Sequence, residues 1–426
     1  MGLEKVIRIG GSLVVGVMVV RYLGPTRFGS YSYAYAIYGI FNVISTLGLD
    51  YLVVSDLAVA KEAEREEEVL GSAFLLKCGA SVLTTLAAVG YAWFTHPGDT
   101  VVLLIVAMLS TAAISQGFDV VDYFFQSRTR SRVTVVPQLI VFVASNLARV
   151  AAVVFKCSLL IFGLIAALEI LATQLGFAVV YWQHQRNLFK WKFRREHAVR
   201  LLKGGWPLLI AGLMVSIYLR TDQILLGTLS TIAVVGQYSA AVKFSEIWYA
   251  LPVIVGASVM PRLLKHKAEQ PALYYDRLKK LYGLMAMTSM VVAVLVTFFG
   301  RYVILLMFGA KYLPATQILS VLIWSGPFVF MGCVSSMQLI HEDWTHLILW
   351  RSVAGAALNV GLNLLLIPRY GAIGSAFATL IAQCATGYLM ELATRKTWFI
   401  FRMKTAALSG YWMFQRTASG KAVASV

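Results

Sequence analysis

The sequence predicts an all-α integral membrane protein with about twelve transmembrane helices in two six-helix lobes. Three observations predict it. Of the 426 residues, 59% are hydrophobic and only 13% are charged, whereas a soluble domain is about a quarter charged. The apolar residues fall in runs of about 20, the length that crosses a bilayer as a helix. The basic residues, 37 against 20 acidic, concentrate in alternate loops, as topology set by Lys and Arg requires. This composition excludes a water-soluble enzyme with one apolar core, and also a disordered chain, which would be poor in apolar and aromatic residues. In a soluble protein the net charge of +17 would suggest nucleic acid. Here loop retention and anionic lipid or substrate account for it, and no nucleic-acid partner is expected.

Taken in order, the spans lie at about 4–23, 31–57, 70–94, 100–126, 134–155, 159–183, 205–228, 234–260, 280–299, 314–340, 347–367 and 372–394. Lys5 and Arg8 precede the first apolar run, which ends at Gly24-Pro25 without the small-residue cleavage site of a signal peptide. Arg21 and Arg27 lie between the first two spans, Lys61 and Arg65 between the next two. Arg128, Arg130 and Arg132 separate the fourth from the fifth, and Lys156 the fifth from the sixth. The 184–203 loop carries seven basic residues and the 261–280 loop six. Arg301 and Lys311 follow the ninth span, Arg351 lies near the start of the eleventh, and Arg369 follows it. Six more basic residues lie beyond the twelfth. In this reading 27 of the 37 basic residues lie on one side, six on the other and four within spans. The larger group marks the cytoplasmic side, so a multi-pass protein of the cell inner membrane with both termini cytoplasmic is expected. Pro137, Pro207, Pro252 and Pro327 lie in or at the ends of spans, where proline kinks a helix or starts one. Gly204-Gly205-Trp206-Pro207 could serve as a hinge.

The 184–203 loop divides the spans six and six. Gly29-Ser-Tyr-Ser-Tyr-Ala34 recurs 207 residues later as Gly236-Gln-Tyr-Ser-Ala-Ala241. Each copy opens the second helix of its half. Six is even, so the halves enter the membrane in the same orientation. This predicts a parallel repeat about a pseudo-two-fold axis along the membrane normal, with substrate bound between the halves. The expected domains are an N-terminal lobe at 1–183, a basic cytoplasmic linker at 184–204, a C-terminal lobe at 205–395 and a basic cytoplasmic tail at 396–426. The aromatic, basic linker reads as an interfacial connector attracted to anionic lipid.

No motif points to catalysis. Cys78, Cys157, Cys333 and Cys384 form no Cys-x-x-Cys pair. His341 and His346 are one residue too far apart for a zinc-binding helix, and Ser419-Gly-Lys421 lacks the rest of a P-loop. Neither a metal site nor a catalytic residue is expected. The informative residues are ionisable groups inside spans, each costing about 2.5–3.5 kcal/mol to insert. Arg8, Lys77, Arg149, Arg220, Asp222, Lys243 and Glu246 are candidates for lining a cavity that holds an anionic headgroup. Arginine suits a diphosphate because its planar fork donates two hydrogen bonds. Asp222 and Lys243, on adjacent helices, form a plausible pair. Glu169 is placed either to pair with Arg149 or to carry the coupling proton or cation. Asp50, Asp56, Asp119, Asp122 and Glu391 lie near cytoplasmic span ends, where water can solvate them.

Several stretches resemble bacterial polysaccharide flippases. They are Leu3-Glu-Lys-Val-Ile-Arg8, Arg21-Tyr-Leu-Gly-Pro25 through Ala34, Leu47-Gly-Leu-Asp50, Trp206-Pro-Leu-Leu209, Tyr218-Leu-Arg-Thr-Asp222 through Gly227, Val235 through Ala241, Phe308 through Ala315 and Asn359 through Ala372. The family is the O-antigen or repeat-unit transporters of the Wzx type, within the multidrug/oligosaccharidyl-lipid/polysaccharide (MOP) exporter superfamily that also holds the MATE transporters. The resemblance covers roughly residues 3–395. It implies alternating access by two lobes around a central cavity. The cargo would be a polyprenyl-diphosphate-linked, anionic oligosaccharide, carried to the outer leaflet for lipopolysaccharide or other surface polysaccharide. No cofactor is implied beyond a proton or sodium gradient. Membrane lipid, a polysaccharide polymerase and assembly proteins are the expected partners. The alternative reading is a cation-coupled drug or solute antiporter of the same fold, which would need an acidic cavity.

Overall fold

The computed structural model describes residues 2–60, 62–184 and 187–409, without the side chains of 2–9, 257, 261 and 268. The end of the predicted tail, from 410 onward, lies outside the described residues. All regular elements among the described residues are helices. Ten stretches are long and apolar enough to cross a membrane. Two of them are broken by a glycine at positive φ. These are Gly24 (φ 71°) within α1 (Gly2–Thr46) and Gly371 (φ 55°) within α13 (Thr345–Gly387). Pro25 follows the first break and Pro368 lies just before the second. Divided there, the ten stretches match the twelve predicted spans in number, and the second of these, predicted at 31–57, is broken again at Leu47-Gly48, both at positive φ. Helix is the form a spanning chain takes because hydrocarbon offers its backbone no other hydrogen-bond partner.

The chain forms two compact units, Met1–Gly236 and Gln237–Val426. The first contains α1, α2 (Asp50–Val59), α3 (Ala63–Thr95), α4 (Thr100–Ala113), α5 (Asp119–Ser127), α6 (Arg132–Val154), α7 (Leu159–Gln183) and α8 (Arg195–Leu229). A 3-10 turn joins α4 to α5, and α1 packs against α3, α4, α6 and α8. Val53, Leu70, Val121, Phe124, Tyr181 and Leu201 bring α2, α3, α5, α7 and α8 into one buried cluster. Leu83, Leu86, Val136, Ile140 and Leu147 remain exposed on α3 and α6. Such an apolar exterior suits lipid rather than water. The Gly204-Gly205 pair lies inside the continuous helix α8, and its second glycine serves close packing. A Cβ on Gly205 would stand 2.5 Å from the Leu47 carbonyl oxygen, and one on Gly48 2.5 Å from the Gly205 carbonyl oxygen.

The repeated glycines meet each other. A Cβ on Gly29 would stand 1.9 Å from the Ile232 carbonyl oxygen and 3.0 Å from the Gly236 nitrogen. A Cβ on Gly236 would stand 1.9 Å from the Pro25 carbonyl oxygen and 3.0 Å from the Gly29 nitrogen. Pro25 and Ile232 are separated by the same 207 residues as the glycines. The contact is therefore reciprocal, and all four residues lie in the first unit.

The basic linker is folded down. Lys192 pairs with Glu64 at 3.0 Å, Arg194 with Glu68 at 2.7 Å and Arg200 with Asp56 at 2.5 Å. His197 lies 3.2 Å from Glu68, and Arg128 pairs with Glu66. Ser72 donates its hydroxyl to the Arg194 carbonyl and accepts from the Arg194 amide. Trp191 inserts among Phe74, Phe118 and Tyr181 and donates its indole N–H to the Tyr181 hydroxyl. The segment read as a connector for anionic lipid thus places Lys192 and Arg194 on the acidic first turns of α3 and Arg200 on α2. Phe189 and Phe193 remain exposed beside Lys190 and Arg195.

The second unit contains most of α9 (Ile232–Glu269), then α10 (Pro271–Met307), α11 (Ala315–Leu322), α12 (Gly326–His341), α13 and α14 (Trp398–Leu408). The last helix occupies the start of the predicted tail. It packs on α10, burying Ile400 and Ala407 with Tyr274, Leu278 and Tyr282.

Gly71 and Gly79 both lie in α3. A Cβ at Gly71 would stand 2.5 Å from the Lys192 carbonyl oxygen, whereas nothing lies within 4 Å of one at Gly79. Gly71→Ala is expected to cost about 1–3 kcal/mol and to speed proteolysis at Lys190 and Lys192. Gly79→Ala is expected to leave stability equal or higher by up to about 1 kcal/mol. Thermal unfolding and limited trypsin digestion of the purified protein check both.

Candidate functional site

Lys77, on α3, is almost wholly buried and has its counter-charge. Its ammonium donates to Asp119 Oδ2 at 2.8 Å and to the Tyr123 hydroxyl at 2.9 Å. Tyr123 donates in turn to Asp50 Oδ1 at 2.5 Å, and Gln174 donates to Asp119 Oδ1 at 2.8 Å. A hydrogen-bonded chain therefore runs from exposed Asp50 on α2 through α5 and α3 to α7. Asp119, expected to be solvated, is the partner that makes a buried lysine tolerable. Lys77 is engaged within this chain and offers no open charge to a headgroup.

Arg149 and Glu169 lie together elsewhere in the same unit. Arg149 Nη2 donates to Glu169 Oε2 at 2.5 Å, and both side chains keep some exposure. Glu169 is thus paired with Arg149. Tyr31 and Tyr35 on α1 lie 4.8 Å apart ring to ring and stand beside Arg149 and Glu169. Tyr35 and Gly39 are i, i+4 and share a helix face. Arg220 on α8 packs at Gly39, its Nε 3.9 Å from where a Cβ would be, and Ser216 donates to the Gly39 carbonyl. Two arginines, one carboxylate and two phenols are thereby arrayed along one helix of the first unit. The set combines partly exposed bidentate donors for an anion with a carboxylate whose charge is balanced by one of them.

The remaining predicted residues are distributed as follows. Arg8 lies in α1, with its side chain outside the described residues. Asp222 is buried in the first unit. Lys243 is half-buried and Glu246 exposed, both in the second. Sequence reasoning missed Tyr31 and Tyr35, although with Tyr38 they recur at i, i+4 and i+7, the spacing of one helix face. It also missed a buried ionic cluster in the second unit around Glu391, which is 1% exposed rather than solvated. No group of three or more potential ligands able to hold a metal ion occurs among the described residues.

Removing the acid from the Lys77 pair leaves a cation that is 1% exposed, whereas removing the lysine leaves an acid that is 26% exposed. Asp119→Asn is therefore expected to cost about 3–5 kcal/mol and Lys77→Met less. The Lys77→Met/Asp119→Leu double variant is expected to recover part of the loss. The thermal midpoints of the three variants in detergent provide the check.

Over residues 3–267 the chain matches the family model described as polysaccharide biosynthesis protein. No curated protein matches the sequence. Among solved structures it is similar to the lipid II flippase MurJ in an inward closed conformation. The two share 14% identity with a TM-score of 0.69, over 98% of this chain and 93% of that one. It is also similar to an inward-facing multidrug resistance MATE family transporter of the MOP superfamily, at 16% identity and a TM-score of 0.67, over 95% and 96% of the two chains. A MOP superfamily transporter from Pyrococcus furiosus matches at 14% identity and a TM-score of 0.51, over 96% and 92%. At these identities the likeness to solved structures is one of fold. The fold is like that of these transporters, and by the extent of its sequence match the chain belongs to the polysaccharide biosynthesis protein family.

Proposed function

We propose that this protein is a flippase that moves a polyprenyl-diphosphate-linked oligosaccharide from the cytoplasmic to the outer leaflet of the inner membrane. It would do so by alternating access, in surface polysaccharide biosynthesis. The observation that carries the reading is the family match over residues 3–267, which includes the Arg149–Arg220 face of α1. A lipid II flippase of similar fold supports it.

In this reading Arg220 and Arg149 receive the diphosphate, with Arg8 and Asp222 of the same unit lining its path. Guanidinium donors match two or more phosphate oxygens at once, while the sugars travel in water and the polyprenyl tail stays in lipid. Glu169 is the coupling residue. A diphosphate drawn to Arg149 competes with Glu169 for it, and the released carboxylate takes up a proton or sodium ion. A polymerase and assembly proteins receive the cargo on the far side. A drug antiporter of this fold would need a carboxylate open to an organic cation, and here Arg149 occupies Glu169.

Deleting the protein is expected to leave lipid-linked repeat units on the cytoplasmic leaflet, read by a leaflet-resolved assay of the glycan. Surface polysaccharide made at the normal rate without a second flippase would contradict the proposal. Arg220→Gln is expected to lower transport about 10- to 100-fold, the worth of one charged hydrogen bond, at unchanged protein level. Glu169→Gln is expected to remove the dependence of transport on an imposed ion gradient in proteoliposomes. Loss of protein rather than of transport in both variants would make the pair structural.

A further inference from the structure

The second unit buries two cations against one carboxylate. Lys404, on α14, is fully buried and donates to Glu391 Oε1 at 2.7 Å, the Gly387 carbonyl at 2.8 Å and Ser335 Oγ at 2.9 Å. Arg351, on α13, is 12% exposed; its Nη1 donates to Ser335 Oγ at 3.1 Å and to the same Glu391 oxygen at 3.3 Å. Among the described residues no other carboxylate pairs with either cation. Tyr282, near Glu391 and Arg351, donates its hydroxyl to Gln338, and the Cys333 thiol stands near Arg351. A buried excess of one positive charge costs several kcal/mol unless something relieves it. One relief is loss of the Lys404 proton, and burial pushes that pKa down to about 7. The other is an anion.

A place for an anion adjoins the cluster. A cavity of about 320 Å³ lies between α9, α12 and α13. Val253 and Met337 form apolar wall, Ser336, Gln383 and Thr386 supply polar groups, and Arg351 lines it. Gly332, also in the wall, has no side chain, and Arg351 Nη2 lies 3.5 Å from where its Cβ would be. The guanidinium edge that does not bond Glu391 is thus left at the cavity. A phosphate has five heavy atoms and fills only part of a space in the usual ligand-pocket range of about 300–1,000 Å³. The apolar wall leaves room for the first carbons attached to it.

We infer that this cavity is a binding site, within the second unit, for the phosphate of an anionic amphiphile, held by Arg351 with the Gln383 amide. The site is separate from the Arg149–Arg220 face and does not rest on the transport reading. Its ligand supplies the negative charge that the Glu391 cluster lacks. A phospholipid bearing a phosphate monoester is the chemistry that fits, with a terminal dianion for the guanidinium and an acyl body for the wall.

The test uses the full-length protein in detergent with phosphatidic acid, phosphatidylcholine and inorganic phosphate, read by native mass spectrometry and thermal shift. Phosphatidic acid is expected to be retained at least tenfold better than phosphatidylcholine. Arg351→Gln is expected to abolish that preference. Because Arg351→Gln could perturb folding, Thr386→Leu fills the cavity and leaves all three charges in place; it is expected to abolish the preference with the wild-type fold. If inorganic phosphate stabilises the wild type as well as phosphatidic acid does, and loses its effect in both variants, the site stands and its occupant is a soluble anion. Equal retention of the two lipids, or retention of phosphatidic acid by folded Thr386→Leu as strong as by wild type, would overturn the inference, since lipid held by the basic exterior is indifferent to that cavity.

Discussion

A charge taken out of water must find an opposite charge or be lost, and this requirement ties the helices of the protein together. Lys77 on α3 draws Asp119 at the start of α5 and, through Tyr123, Asp50 on α2. Arg149 and Glu169 fasten α6 to α7. Glu391 gathers α13 and α14, with Ser335 of α12 bonded to the same cations. Buried ion pairs add little net stability, because desolvation offsets most of their attraction. Their effect here is on register. Sliding any of these helices by one turn, about 5.4 Å, would strand a charge in an apolar surrounding, so the alternatives are raised in energy even where the native pairing gains little.

The twelve spans were legible because apolar length is a local property and the bilayer fixes the length required. Gly24 and Gly371 break two long helices beside prolines, and Gly24-Pro25 could be read directly as the end of the first span. The charges within spans were legible as charges but not as pairs. Glu169 was assigned to Arg149 as one of two options, whereas Lys77 was assigned to an open cavity and Asp119 to solvent, although they bond each other. Spacing along one helix says nothing about a partner 42 residues away on another. Lys404 was hidden for a different reason. A lysine in a short aromatic segment reads as an exposed group, and only the meeting of α14 with Glu391 and Ser335 puts it inside.

The same limit applies to the linker. Its basic and aromatic composition was plain, and its partner was not, because the acidic turns of α3 lie well over 100 residues earlier. Lys192 and Glu64 are more than half open to water, and Arg194 and Arg200 about half, although Glu68 is buried. Their attraction falls with ionic strength over a Debye length of about 8–10 Å. The linker is held more firmly by Trp191 among Phe74, Phe118 and Tyr181, and by the backbone of Lys192 seated at Gly71. Charge chooses the surface here, and close packing keeps the segment on it.

The reciprocal approach of Gly29 and Gly236 bears on the ancestry of the chain. Across a true two-fold axis a residue meets its own copy, so one change of sequence alters both sides of the contact at once. In a pair of identical half-length chains, a single substitution to glycine would have opened this contact completely. In a single chain the two positions can change independently, and a side chain at either one meets a carbonyl oxygen. A contact that one mutation could create now has two independent ways to be lost. The neighbouring Tyr-Ser pairs, Tyr31-Ser32 and Tyr238-Ser239, are the same in both copies.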